Sequence, residues 1–327
     1  MSIFDRRMVL FSGKGGVGKT TLASAFAYSC ARRGKKTLLI ELNVRDRLSA
    51  LFGSIEVGTD IVEVEHNLYA VNITPQTAME EYALMMLRVR MIYKAVFENR
   101  VVSSFLKVIP GLNELVMLGK AHYHATEVDD RGRNVWDMVV VDAPATGHGI
   151  FFLRIPTVIT SIIESGPMFS EAKKMEDFIQ DPEMCALNLV TLPEEMPVNE
   201  TLMLRDVVRD DIKIPIGFVT ANCVYDPLFD DREMGWVEDT GEDTFEEPET
   251  QGFIDAARFR TQRVRMQRPY LEQLATEIDA PFVRVPYYFT ERFDFQTIRK
   301  IADDIDRQLE PVEPEPAATD GARAPLG

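Results

Sequence analysis

The chain has 327 residues, 46% of them hydrophobic, and carries a formal charge of −16. That is enough chain and enough apolar content for one large α/β domain, and the acidic balance argues against non-specific nucleic-acid binding, which needs clustered Lys and Arg. Three scattered cysteines (Cys30, Cys185, Cys223) without a CxxC pair point to neither a disulfide framework nor a zinc site. With no signal-peptide pattern at the start and no uncharged apolar run of 18 residues, the expectation is a cytoplasmic protein that does not span a membrane.

In chain order, "MVLFS" reads as a buried strand, "GKGGVGKT" as a tight loop, and "TLASAFAYSCARRG" as a helix closed by Gly34. Gly13, Gly18, Lys19 and Thr20 satisfy GxxxxGK[ST], a phosphate-binding loop in the strand, loop, helix order that this motif requires. Its chemistry assigns backbone N–H groups from Gly13, Gly15, Gly16, Val17 and Gly18 onward through Thr21 to the phosphates of ATP, Lys19 to the β and γ oxygens, and the Thr20 hydroxyl to Mg²⁺. Further apolar runs predict strands at 37–42, 68–73, 137–142, 186–191, 215–221 and 281–285, alternating with helical stretches. The expected fold class is α/β, a doubly wound, mostly parallel sheet flanked by helices.

Lys14 is a second lysine at the loop's front edge, placed to reach away from the pocket that Lys19 serves. Asp142 ends the buried run "WDMVVVD" and stands where a Walker B carboxylate holds a water of the Mg²⁺ shell. Residues 76–109 form a long helical stretch bearing Met79, Met85, Met86 and Met91, which fits either core packing or an adaptable apolar surface. Residues 226–250 hold eleven acids against one Arg and are expected to be a solvated, mobile insert, with an acidic docking strip as the alternative. Residues 310–327, rich in Pro, Ala and Glu, are expected to be a disordered tail.

"GKGGVGKTT" resembles the deviant Walker A of the dimeric ATPases that include ParA, MinD, the nitrogenase iron protein and the ArsA-like ATPases. "DAPATGH" (142–148) is similar to the ArsA-like switch "DTAPTGH", and "NLYAVNITPQTAMEEY", "IPGLNEL", "LVTLPEEMPVNETLMLRD" and "VTANCV" follow in family order up to about residue 300. The ArsA-like branch is therefore the resemblance carried through the chain. The acidic, proline-rich end lacks the basic helix expected of MinD and the basic DNA-facing residues expected of ParA, and the cysteines do not match an iron–sulfur cluster site.

The resemblance implies one P-loop ATPase domain over 1–309, with a helical subdomain at roughly 76–130 and 157–182. It implies a dimer, homo or hetero with a paralogue, in which Lys14 reaches the partner's phosphates. It also implies ATP and Mg²⁺ as cofactors, Asn222 at the adenine, and a hydrophobic client or membrane-associated effector. The first switch departs from the family: "LLIELNVRDRLSALFG" aligns with "LLISTDPAHNLSDAFG", so the switch aspartate falls on Asn43. An amide takes no proton, so hydrolysis is expected to be slow or silent unless Asp46 takes over. A hydrolysis-poor regulatory subunit and an ATP-stabilised scaffold are the alternatives. An arsenite-pump role is disfavoured, because the cysteines read as buried small hydrophobes.

Overall fold

The computed structural model describes residues 2–42, 47–53, 55–79, 112–144, 146–240, 247–291 and 293–310. Eight strands form one sheet in the order β3-β4-β2-β5-β1-β6-β7-β8. They are β1 (Met8–Gly13), β2 (Thr37–Glu41), β3 (Val62–Glu65), β4 (Leu68–Asn72), β5 (Met138–Asp142), β6 (Cys185–Thr191), β7 (Ile216–Val224) and β8 (Phe282–Pro286). All neighbouring pairs are parallel except β3 with β4. The predicted strands are all present, as expected of continuous apolar runs buried on both faces. β3 is the one the sequence reading lacked; its half-buried "VEVE" alternates as an edge strand does.

The described helices are α1 (Lys19–Arg32), α2 (Leu48–Leu51), α3 (Leu112–Thr126), α4 (Thr146–Ile162), α5 (Pro167–Gln180), α6 (Glu195–Val207), α7 (Asp231–Asp239), α8 (Pro248–Glu277) and α9 (Phe295–Leu309). Residues 75–79 are also helical; the rest of the Met-bearing stretch, with Met85, Met86 and Met91, lies outside the described residues. The helical segment expected at 157–182 holds the end of α4 and all of α5, with a break between them that ends at Gly166.

Two cores sandwich the sheet. On one face, α1, α2 and α9 pack Leu22, Phe26, Leu48, Ile298 and Ile305 over Val9, Phe11, Leu39 and Val140. On the other, α3, α4, α5, α6 and α8 cover Leu10, Ile40, Val141 and Leu189. With β1 buried between β5 and β6, the loop leaving its C-terminal end opens at the crevice where doubly wound sheets bind ligands.

The acidic insert needs correcting. Part of it is α7, capped by Asp230, with Met234 and Val237 buried and the helix packed on α8. Its charges are used within the chain: Glu238 lies 3.0 Å from Arg265 and Asp231 3.0 Å from Arg268. The Arg260 guanidinium donates to the Asp226 carbonyl at 2.8 Å. The acids of 226–240 thus offset an arginine-bearing face of α8 rather than only solubilising a loop. Residues 241–246 and the 311–327 tail lie outside the described residues.

Candidate nucleotide site

β1 ends at Gly13, and the backbone there has no room for a side chain: a Cβ would come within 2.1 Å of the Val190 carbonyl oxygen on β6. Gly16 and Gly18 have φ of +86° and +95°, which β-carbons disfavour. Gly18 is the N-cap of α1 and no side chain caps that end, so the amides of the first turn are left to the loop's ligand. Gly15 and Gly16 are exposed, Val17 is buried, and Thr21 follows half-buried in the first turn of α1.

Lys19 turns back over the loop: its Nζ donates to the carbonyls of Gly13 at 3.0 Å and Lys14 at 2.9 Å. Burial lowers its pKa; Asp142 opposes that shift and Arg47 adds to it. At the end of β5, Asp142 accepts a hydrogen bond from the Thr20 hydroxyl at 2.5 Å through Oδ2. Its other oxygen, Oδ1, is buried and accepts no hydrogen bond among the described residues. Burial pushes this carboxyl up to about 6, against the pull of Thr20, Lys19 and Arg47. Hydroxyl, orphaned carboxylate oxygen and ammonium group thus meet at one end of the sheet. That donor set fits Mg²⁺ held by Thr20 and, through water, by Asp142, beside phosphates held by Lys19 and the loop. Among the described residues no group of three or more His, Cys, Asp or Glu gathers into a metal cage.

The Lys14 ammonium is paired within its own chain, with Glu200 on α6, a partner 186 residues away that no local pattern announces. Asn222, at the end of β7, is turned toward the loop: Nδ2 donates to the Val17 carbonyl at 2.9 Å, and Oδ1 accepts from the Cys223 amide at 2.9 Å. One N–H and one lone pair remain for a ligand. Cys223 sits in the left-handed region at φ +57°, and Gln267 of α8 clips that corner, donating to Cys223 O at 3.0 Å and accepting from Tyr225 N at 2.8 Å. Beside it, Tyr225 and Tyr287 stack at 5.0 Å between centroids. Glu200, Gln267 and Tyr225 are site neighbours that sequence reasoning missed, since each is brought in by the sheet order alone.

Asn43 and Asp46 lie outside the described residues, as does Ala145. Cys30 and Cys185 are free and fully buried, where burial pushes both thiols up; Cys223 is half-buried. Cys30 and Cys185 therefore sit in the packing environments expected of small hydrophobes, whereas Cys223 does not share that full burial.

A family profile described as anion-transporting ATPase, the ArsA ATPase family, matches residues 6–166, which includes the loop, β2 and Asp142. The chain resembles the ArsA-like ATPase family. The ATPase BagA of Mycobacterium tuberculosis is 30% identical over 66% of this chain and 64% of its own length. A putative arsenical pump-driving ATPase of Halobacterium salinarum is 26% identical over 92% of this chain and 44% of its own. The arsenical pump-driving ATPase of Escherichia coli is 27% identical over 59% and 35%. The chain thus spans less than two thirds of the length of these relatives.

Proposed function

We propose that this chain is a dimeric Mg·ATP-dependent switch ATPase whose nucleotide draws two subunits together and thereby changes a client or effector surface. The observation that carries the reading is the Thr20–Asp142 pair with its buried, orphaned Oδ1, set beside Lys19 on a loop whose Gly13 and Gly18 leave no space for a β-carbon. Bound Mg²⁺ would supply charge neutralisation at the β and γ oxygens. Lys19 exchanges the Gly13 and Lys14 carbonyls for phosphate oxygens, and the free amides at the start of α1 take the remaining lone pairs. Asn222 keeps the loop seated and offers its spare N–H and lone pair to adenine beside the Tyr225–Tyr287 stack.

Closure requires Lys14 to leave Glu200 and cross to the partner's phosphates, so the ion pair is the resting position of that lysine. Small-angle scattering of wild type and Lys14→Ala, with and without Mg·ATP, tests this. The wild type should compact into a dimer on nucleotide addition and the variant should not. Identical profiles would remove the trans role.

Asn43 favours a second reading, a hydrolysis-poor regulatory subunit that pairs with an active paralogue. Asn43→Asp should then raise ATP turnover at least ~10-fold, the low side of general-base effects. Brisk wild-type turnover, unchanged by Asn43→Asp or Asp46→Asn, would remove that reading and leave the switch. Buried cysteines give no support to a metalloid cargo.

A further inference from the structure

In sequence the first switch carries Asn43 where the family pattern has an acid, and the structure ties Arg47 to the end of β2. Glu41, the last residue of β2, is fully buried and lies in register with Asp142 on the neighbouring strand β5. Side chains in register on parallel strands share a sheet face, so both carboxylates face the α1 side, as do Leu39 and Val140 two residues before them. Glu41 Oε2 accepts the backbone N–H of Arg47 at 3.0 Å. That bond brings the chain after residues 43–46 back to the end of β2, and burial of Leu48 in the α1-side core holds the next residue. Arg47 itself is exposed, and its guanidinium makes no hydrogen bond or ion pair with the described residues.

We propose that Arg47, anchored through its backbone by Glu41, is a second cation of the phosphate site that contacts the terminal phosphate of a bound nucleoside triphosphate. Lys19 is buried at the floor of the loop, whereas Arg47 is exposed and tied by its backbone to the end of β2, the strand end in register with Asp142. A guanidinium suits that place: it stays charged, presents a planar fork to phosphate oxygens, and stabilises charge building on a transferring phosphoryl group.

This inference rests on the Mg·ATP reading above and concerns discrimination between triphosphate and diphosphate. The test is equilibrium binding of a non-hydrolysable ATP analogue and of ADP to wild type, Arg47→Ala, Arg47→Lys and Lys19→Ala. Arg47→Ala should weaken the triphosphate about 10- to 100-fold, the range of a lost charge-assisted contact, and change ADP less than about 2-fold. Arg47→Lys should recover part of that loss. If Arg47→Ala leaves both ligands unchanged, or weakens both equally, the assignment is overturned while a Lys19-dependent site stands. If the wild type binds neither, or Lys19→Ala binds both as well, the nucleotide reading falls and Arg47 falls with it.

Discussion

The two ends of the crevice are built by different means. Around β1, between β5 and β6, the loop, Lys19 and Thr20 are local, with Asp142 delivered by the adjacent β5, and packing leaves little latitude: Gly13 abuts the Val190 carbonyl of β6. On the β7–α8 side, the site's neighbours are held by long-range polar contacts: Asn222 to Val17, Gln267 to Cys223, and the acids of α7 to the arginines of α8. The first kind of construction is intolerant of any added atom. The second spreads its stability over exchangeable contacts, each worth little alone.

The largest expected effect is on the tight side. Gly13→Ala drives a methyl group into backbone that cannot move without shifting β6, so about 3 kcal/mol of stability should be lost, the upper end for overpacking, together with nucleotide binding. Denaturant unfolding of the variant measures it, and a near-neutral result would show that the loop is looser than described.

Met234→Ala comes next and probes the other side. A buried methionine truncated on α7 should cost about 2 kcal/mol, the low end for Met→Ala, and raise hydrogen exchange across 231–239 while leaving loop amides unchanged. Exchange rates in that helix equal to those of the wild type would return the acidic insert to a solvated role.

Asp142→Asn should act in opposite senses on stability and binding. The folded-state pKa of Asp142 is raised from 3.8 to about 6, so between those values the folded chain holds a proton that the unfolded chain has released. The contribution of this group to stability therefore falls as pH rises, by about 3 kcal/mol once pH exceeds 6, at about 1.4 kcal/mol per unit. Removing the ionisable group should stabilise the nucleotide-free protein, more at pH 8 than at pH 5, while abolishing the Mg²⁺-dependent part of ATP binding. Thermal melts at the two pH values check the sign, and a variant less stable than wild type at pH 8 would contradict it. The smallest effect is reserved for Arg268→Ala, a half-exposed arginine whose partner Asp231 is largely exposed, which sets a loss below about 1 kcal/mol, shrinking with salt.

This contrast also explains what was legible in the sequence. Strands buried on both faces are contiguous apolar runs, so six of them and the loop's own strand could be read directly. β3 carries only a four-residue alternation and is paired on one side. Within the site, Lys19 and Thr20 are one local motif, and Asp142 follows from a strand end. Glu200, Gln267 and Arg47 acquire meaning only when the strand order sets β6, β7 and β2 around β1 and β5. The acidic run was misread because composition counts charges without showing that arginines some 27 to 37 residues farther along neutralise them.

The most direct test of the central claim is calorimetric titration of wild type and Lys19→Ala with ATP in the presence and absence of Mg²⁺. The account predicts one saturable, Mg²⁺-enhanced site per chain in the wild type and at least a ~100-fold loss in the variant, as expected when a buried charge partner of phosphate is removed. Equal affinities for the two proteins would contradict it.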